Sequence, residues 1–411
     1  MTTKTIAQSR RAAEMILDAI YFQKNDDMLR HSFLFGEVGA SAHEKNFGTD
    51  IYYDSVSLTK ASVFLRENGA SRFSFGTVSD VWSEVTDFVA EHFIIAFREI
   101  LFVRPTTSLL NSLSDSAISS FVTALSASTL MHDTEFLTVF PLYAVQVKKT
   151  VVTNEFFLAP FGQFPEEMLP EAFPKGELEA KKFPPFKSWS GRVDRPNSII
   201  GVRSIHPELA GKRKATVLGS ISLLENHNRR YMLSGRKILG GVAELSDVIT
   251  VRSSVGHTPP IMGDIELDDS DLPWLHALSV LLKSGTAECI KKVRALEYVY
   301  RAWFLSEAER YPVLFSALDA IFGDQERATK AILDGTTKFG TPEYDKDRIR
   351  MLLSLRASTV HGGSPNIHES KKYQTYYSIY HQSPVENLEY LASRVLRLSI
   401  FAGLLVEKVV K

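Results

Sequence analysis

After the acidic turn "ELDDSD" at 266–271 the hydrophobic period of this chain changes, and it does not change back. Between 136 and 267 apolar residues come in β-branched and aromatic runs such as "FLTVFPLYAVQVKK" and "TVVTNEFFLAP", the mark of paired strands. From 272 onward they recur in steps of three and four, the mark of helices. The two periods bury different faces, so strands are confined to the part before the turn. The expected fold class is α+β, with a mixed α/β N-terminal region over 1–268 and an all-α bundle over 269–411.

The first part is itself heterogeneous, with room for two subdomains. It opens helical, with Ile6, Ala13, Ile16, Leu17 and Ile20 near helical spacing, and 82–103 and 115–130 are helical again. Residues 159–197 are rich in proline and phenylalanine, which bars them from a central strand or a helix interior. Free linkers seldom carry this much Phe and Trp, so an ordered excursion anchored by aromatic rings is expected. Strand-like runs resume at 214–224, 229–234, 247–253 and 261–267.

Composition narrows the class. The 411 residues carry a formal net charge of −1, so the whole chain is not a polycation built to coat nucleic acid. The single cysteine, Cys289, rules out an intramolecular disulfide framework and a cysteine-rich zinc site. The start of the sequence lacks the apolar core of a signal peptide, and no apolar stretch is long enough to span a bilayer. A cytoplasmic protein with no membrane partner is expected.

In the helical part, 272–305 holds two runs separated by Ser284-Gly285, and 312–322 starts at Pro312 and stops at Gly323. A short helix is expected over 325–334, closed by Gly335, and another over 343–361, stopped by Gly362-Gly363. Ser383-Pro384-Val385-Glu386 is a capping box that starts the last helix. Its apolar residues Leu388, Leu391, Val395, Leu398, Ala402, Leu405 and Val409 form a heptad-like seam. Such a seam either faces the core or joins two copies.

Several chemistries have no motif here. There is no phosphate-binding G-x-x-x-x-G-K-[ST], no G-x-S-x-G elbow and no H-E-x-x-H. His361 and His368 are placed to share a metal, but no cysteine or compact acidic cluster joins them. No metal and no cofactor is expected.

Charge placement on the helices is more informative. On a wheel of about 100° per residue, Ile349, Leu352, Leu353 and Val360 share one stripe, and Arg356 falls inside it. Arginine cannot escape burial by deprotonating, so its charge must be accommodated. It either snorkels to the surface, pairs with a buried carboxylate, or lines a groove that takes an anion. Glu297 sits within the apolar face of Ile290, Val293, Leu296 and Tyr300, and Asp319 within that of Phe315, Leu318 and Phe322. Three helices thus each place one charge on the side they should bury, which points to a shared polar centre. His361 follows Arg356 by five residues, where it either caps the helix or stands ready to move a proton.

"RASTVHGG", Arg356 to Gly363, resembles the R-x4–6-H signature of HEPN domains, in the wording of their Apea-like branch. "FSALDAIFG" at 315–323 is similar to the acidic-residue helix that precedes that signature. The resemblance covers about residues 270–411 and implies a HEPN-type helical bundle that forms a homodimer. It implies a metal-independent endoribonuclease of antiviral or toxin-type defence, acting on tRNA or single-stranded RNA. Arg356 and His361 would be catalytic, with Asp319 and Glu297 in support, and the N-terminal region would take a trigger ligand or protein. Many active members carry Asn, Asp or His after the arginine, where this chain has Ala357. Lys371, Lys372 and Tyr376 offer cations for phosphates and a ring for a base, though tyrosines at helical spacing here read equally as core. The alternatives are a non-catalytic HEPN module that binds RNA or a nucleotide or only dimerises, and a scaffold in which Arg356 pairs with an acid.

Overall fold

The computed structural model describes residues 3–24, 27–35, 47–100, 102–169, 196–224, 239–245, 249–259, 261, 264–323, 327–360 and 367–408. The chain divides into two compact units, 1–135 and 136–411, well before the change of period at 268.

The first unit comprises α1 (Thr3–Asp18), β1 (Ile20–Tyr21), β2 (Met28–Phe35), β3 (Phe47–Asp54), α2 (Ser55–Asn68), α3 (Val78–Phe97) and α4 (Asp115–Ala127). Its strands form an antiparallel sheet in the order β1-β3-β2. α2, α3 and α4 each begin at a side-chain cap that satisfies backbone N–H groups without an intrahelical partner. Asp54 accepts from Ser57 N at the start of α2, and Thr77 and Asp80 form a capping box on α3. The core is built from Ile16 and Leu17 of α1, Ile51 of β3, Leu65 of α2, Val85 of α3 and Phe121 of α4.

The second unit begins with β4 (Phe136–Leu142), β5 (Val145–Val147), β6 (Val151–Val152), β7 (Phe156–Pro160), β8 (Ser198–Ser204), α5 (Pro207–Ser222), β9 (Leu239–Leu245), β10 (Ile249–Val255) and β11 (Ile265–Leu267). It continues with α6 (Leu272–Lys283), α7 (Ala287–Trp303), α8 (Glu307–Phe322), α9 (Ala328–Phe339), α10 (Lys346–Val360), α11 (Lys371–Tyr380) and α12 (Pro384–Phe401). Six strands form an antiparallel sheet in the order β10-β9-β4-β8-β7-β6, and β11 pairs in parallel with β5. The fold is α+β: a mixed α/β part followed by an all-helical part.

The change of period at 268 lies inside this unit. One face of the sheet, with Phe140, Ile200 and Val202, shares a single core with Val217 of α5, Leu296 of α7, Leu352 of α10 and Leu391 of α12. The other face, with Val139, Phe157 and Ala243, is covered by Phe161, Phe164 and Met168. The start of the proline-rich stretch is therefore an aromatic-anchored cover, as its composition suggests, while 170–195 lie outside the described residues.

Three expectations about elements change. Residues 214–224 belong to a helix, not a strand: α5 starts at His206-Pro207 and buries Thr216 to Ser222 between the sheet and α7. A Cβ on Gly219 would collide with the Leu296 carbonyl, so this glycine sets how closely α5 and α7 approach. Pro312 does not start α8 but lies inside it, because Ser306 and Glu309 form the capping box. Gly335 does not close α9 but lies within it, where the Phe322 ring takes the space of a side chain.

Candidate functional site

α10 is positioned at its start by Asp345, whose carboxylate accepts from Arg348 N at 2.8 Å. Ile349, Leu352, Leu353 and Leu355 are buried, which turns the predicted stripe inward. The Tyr311 hydroxyl of α8 donates to the Leu352 carbonyl at 2.8 Å and ties the two helices together. Four residues on along each helix, the Arg356 guanidinium stands over the Phe315 ring, 5.8 Å from its centroid. At that distance the ring face attracts the cation only weakly. Arg356 itself is half-buried, so part of its surface remains open.

The acids divide. Asp319 is half-buried on α8, one turn beyond Phe315 and on the same side of the helix. Glu297 is also half-buried, and burial pushes its carboxyl above the usual range. Lys212 of α5 and Arg294 oppose that shift, so the cations acting on Glu297 come from α5 and its own helix. His361 lies outside the described residues, and α10 ends at Val360, the residue before it.

The three predicted RNA-contacting residues separate as well. Lys371 and Lys372 are exposed, and Lys372 Nζ donates to the Ser354 carbonyl of α10 at 2.8 Å. Tyr376 is only 1% exposed, so it has no ring face to offer a base. Its hydroxyl accepts from Arg348 Nε and from Asn387 Nδ2, each at 2.9 Å, and burial holds the phenol above its ordinary pKa. Tyr376 is a core residue, which corrects that expectation.

The most deeply buried arginines among the described residues of the helical part are ones the wheel did not single out. Arg348 lies between the Tyr344 and Tyr380 rings, 4.5 Å from each centroid, and also donates to Gln382 and the Glu343 carbonyl. Arg310 pairs with Glu389 and donates to the Ala302 and Leu305 carbonyls. Arg397 joins the Leu223 carbonyl to Glu407. These cages draw on segments far apart in the chain, so no local spacing announces them.

The α12 seam is also resolved on the core side. Leu388, Leu391 and Val395 are buried within one chain, and Asn387, Glu389, Ser393 and Arg397 are buried on its other sides. α12 is thus the central helix of the unit, and it ends at Phe401 with Ala402 in the left-handed conformation. Exposed His368 faces Glu307 at 3.6 Å and the Tyr373 ring at 4.9 Å. Among the described residues no group of three or more His, Cys, Asp or Glu is arranged to hold a metal ion. In the first unit, α3 and the end of α4 border an open cleft of about 500 Å³ lined by Glu84, Asp87, Phe88, Glu91 and His92, among others.

Comparison with protein families, with characterised proteins and with solved structures finds no match for this chain. No helix among the described residues is long and apolar enough to cross a membrane.

Proposed function

We propose that the chain is a HEPN-type endoribonuclease that works without a metal, in antiviral or toxin-type defence. The observation that carries this reading is the state of Arg356. Arg310, Arg348 and Arg397 are sealed in the core, whereas Arg356 keeps part of its surface open near the end of α10. An arginine with open surface leaves room for a phosphate, which the three enclosed ones do not.

The register of the two helices supports the same reading. Tyr311 meets Leu352 and Phe315 meets Arg356, so the next turn brings Asp319 to the level of Val360, just before His361. In the proposed reaction His361 takes the proton of a ribose 2′-hydroxyl as it attacks the adjacent phosphate. Arg356 holds the phosphate and stabilises charge on its oxygens through paired N–H groups, and the product is a 2′,3′-cyclic phosphate. Exposed Lys371 and Lys372 would hold the RNA backbone. Asp319 would orient His361 or Arg356. Glu297, on which Lys212 of α5 and Arg294 act, would support the site from α7.

A homodimer that presents both sites in one cleft would form through a surface other than the Leu388–Val395 stripe, which the core of one chain uses. Ala357 favours the alternative of a module that binds RNA without cutting it. Incubation with tRNA and single-stranded RNA in excess EDTA separates the two. Cleavage by the wild type that is lost in Arg356→Ala and in His361→Ala supports the nuclease. Binding without cleavage gives the alternative, and no interaction with RNA overturns both.

A further inference from the structure

The second unit carries a group of ionisable side chains that plays no part in the proposed reaction. Lys214 of α5 reaches toward β4 and α7, where its ammonium nitrogen lies 4.9 Å from the Phe140 ring centroid and 5.5 Å from that of Tyr300. Its Nζ is 3.3 Å from His257 Nδ1. The other nitrogen of His257, Nε2, is 2.8 Å from the Gly241 carbonyl. A carbonyl can only accept, so Nε2 carries the ring proton and Nδ1 presents a lone pair. His257 is therefore fixed as an acceptor for Lys214. Ser254 Oγ sits 3.3 Å from Nε2 and bonds the Val255 carbonyl, while Tyr300 donates to the His257 carbonyl and holds this loop on α7.

No carboxylate forms an ion pair with Lys214 among the described residues. Glu155 is held by Arg213, and Lys212 and Arg294 act on Glu297. An ammonium has three N–H groups and here meets one protein acceptor and two ring faces. A neutral amine needs less: it donates once to His257 and keeps its own lone pair. Burial accordingly lowers the Lys214 pKa to about 8, and burial with the nearby lysine lowers that of His257 to about 3. His257 thus orients the amine without taking its proton. Lys214 is half-buried, so part of the residue meets solvent.

We propose that Lys214 is a nucleophilic lysine that captures small aldehydes as an imine at the junction of α5, β4 and α7. The amine lone pair forms a bond to the carbonyl carbon, and the carbon–oxygen π pair moves onto oxygen, which takes a proton from water. The nitrogen gives up a proton to water. The hydroxyl then takes a proton from water and leaves as water while the nitrogen lone pair forms the C=N bond, and the iminium nitrogen returns its proton to water to give the imine. One water is released and nothing is oxidised or reduced. His257 is a positioning residue in this step.

The test uses the full chain with propanal as the aldehyde and cyanoborohydride, whose hydride reduces any imine to a stable secondary amine. Alkylation is mapped at each lysine by mass spectrometry across a pH series. At about pH 7 Lys214 is expected to react at least about tenfold faster than exposed Lys371, because a larger share of it is unprotonated. The ratio of its rate to that of Lys371 should be largest below about pH 8 and should fall as the pH rises beyond it. A rate equal to or below that of Lys371 at every pH overturns the proposal. So does a ratio that stays constant across the pH series. Both readings come from the unmodified protein, so no variant has to fold.

Discussion

Replacing Tyr376 by phenylalanine removes one oxygen that accepts from both Arg348 Nε and Asn387 Nδ2. A buried donor left without its partner costs about 1–3 kcal/mol. Tyr376→Phe is therefore expected to lower stability to urea by about that amount, while RNA affinity in a gel-shift series stays unchanged. A loss of RNA affinity at unchanged stability would return Tyr376 to the surface role its sequence context suggested. His257 gives a prediction in pH. Its folded pKa, about 3, lies below the ordinary histidine value, so the unfolded chain binds the extra proton between those two limits. Stability contributed by neutral His257 is full above the ordinary value and falls as the pH drops toward 3. The slope from this one proton is at most about 1.4 kcal/mol per pH unit. Urea titrations between about pH 7 and 4 should show that extra slope in the wild type and not in His257→Gln. Single residues were legible to different depths. Arg356 stood out because four apolar neighbours on its own helix define the stripe around it. Arg348 did not, because Tyr344, Tyr380, Tyr376 and Gln382 come together only in the folded chain.

At the scale of elements, Gly219 makes the most specific demand. Glycine inside a helix ordinarily costs about 0.5–1 kcal/mol against alanine, so Gly→Ala there usually stabilises. Here the added methyl would meet the Leu296 carbonyl of the facing helix. Gly219→Ala is expected to destabilise by about 1–3 kcal/mol because α5 and α7 must separate. A stabilised variant would show that the two helices do not pack at this distance. The same helix explains a misreading of pattern: Thr216, Val217 and Ile221 are β-branched, and α5 is buried on most of its surface over this stretch. A helix covered on both sides loses the amphipathic period that distinguishes it from a buried strand. The break at Ser284-Gly285 was legible because a cap is local, and α6 and α7 end and start around it. Pro312 misled because its fixed φ suits a first turn, yet the Ser306–Glu309 box, which starts six residues earlier, decides where α8 begins.

At the scale of the whole molecule, the change of hydrophobic period at 268 and the division of the chain are different things. The period reports which kind of element forms. The division reports which elements share a core. Val217 of α5 and Ile200 of β8 lie in one cluster with Trp274, Leu296 and Leu391, so helices cut away at 269 would expose a large apolar face. Residues 136–411 expressed alone are expected to unfold in one cooperative transition, whereas 269–411 alone should aggregate or lack a cooperative melt by circular dichroism. A cooperative melt of 269–411 would restore the boundary read from the sequence. The proposed reaction belongs to one end of this unit, where Arg356 stays partly open as α10 reaches its end. The most direct measurement of it is the chemistry of RNA 3′ ends after incubation in excess EDTA. The wild type is predicted to leave 2′,3′-cyclic phosphates, with rates lower by about 100-fold or more in Arg356→Ala and in His361→Ala. Ends bearing a free 3′-hydroxyl, or cleavage undiminished in either variant, would contradict it.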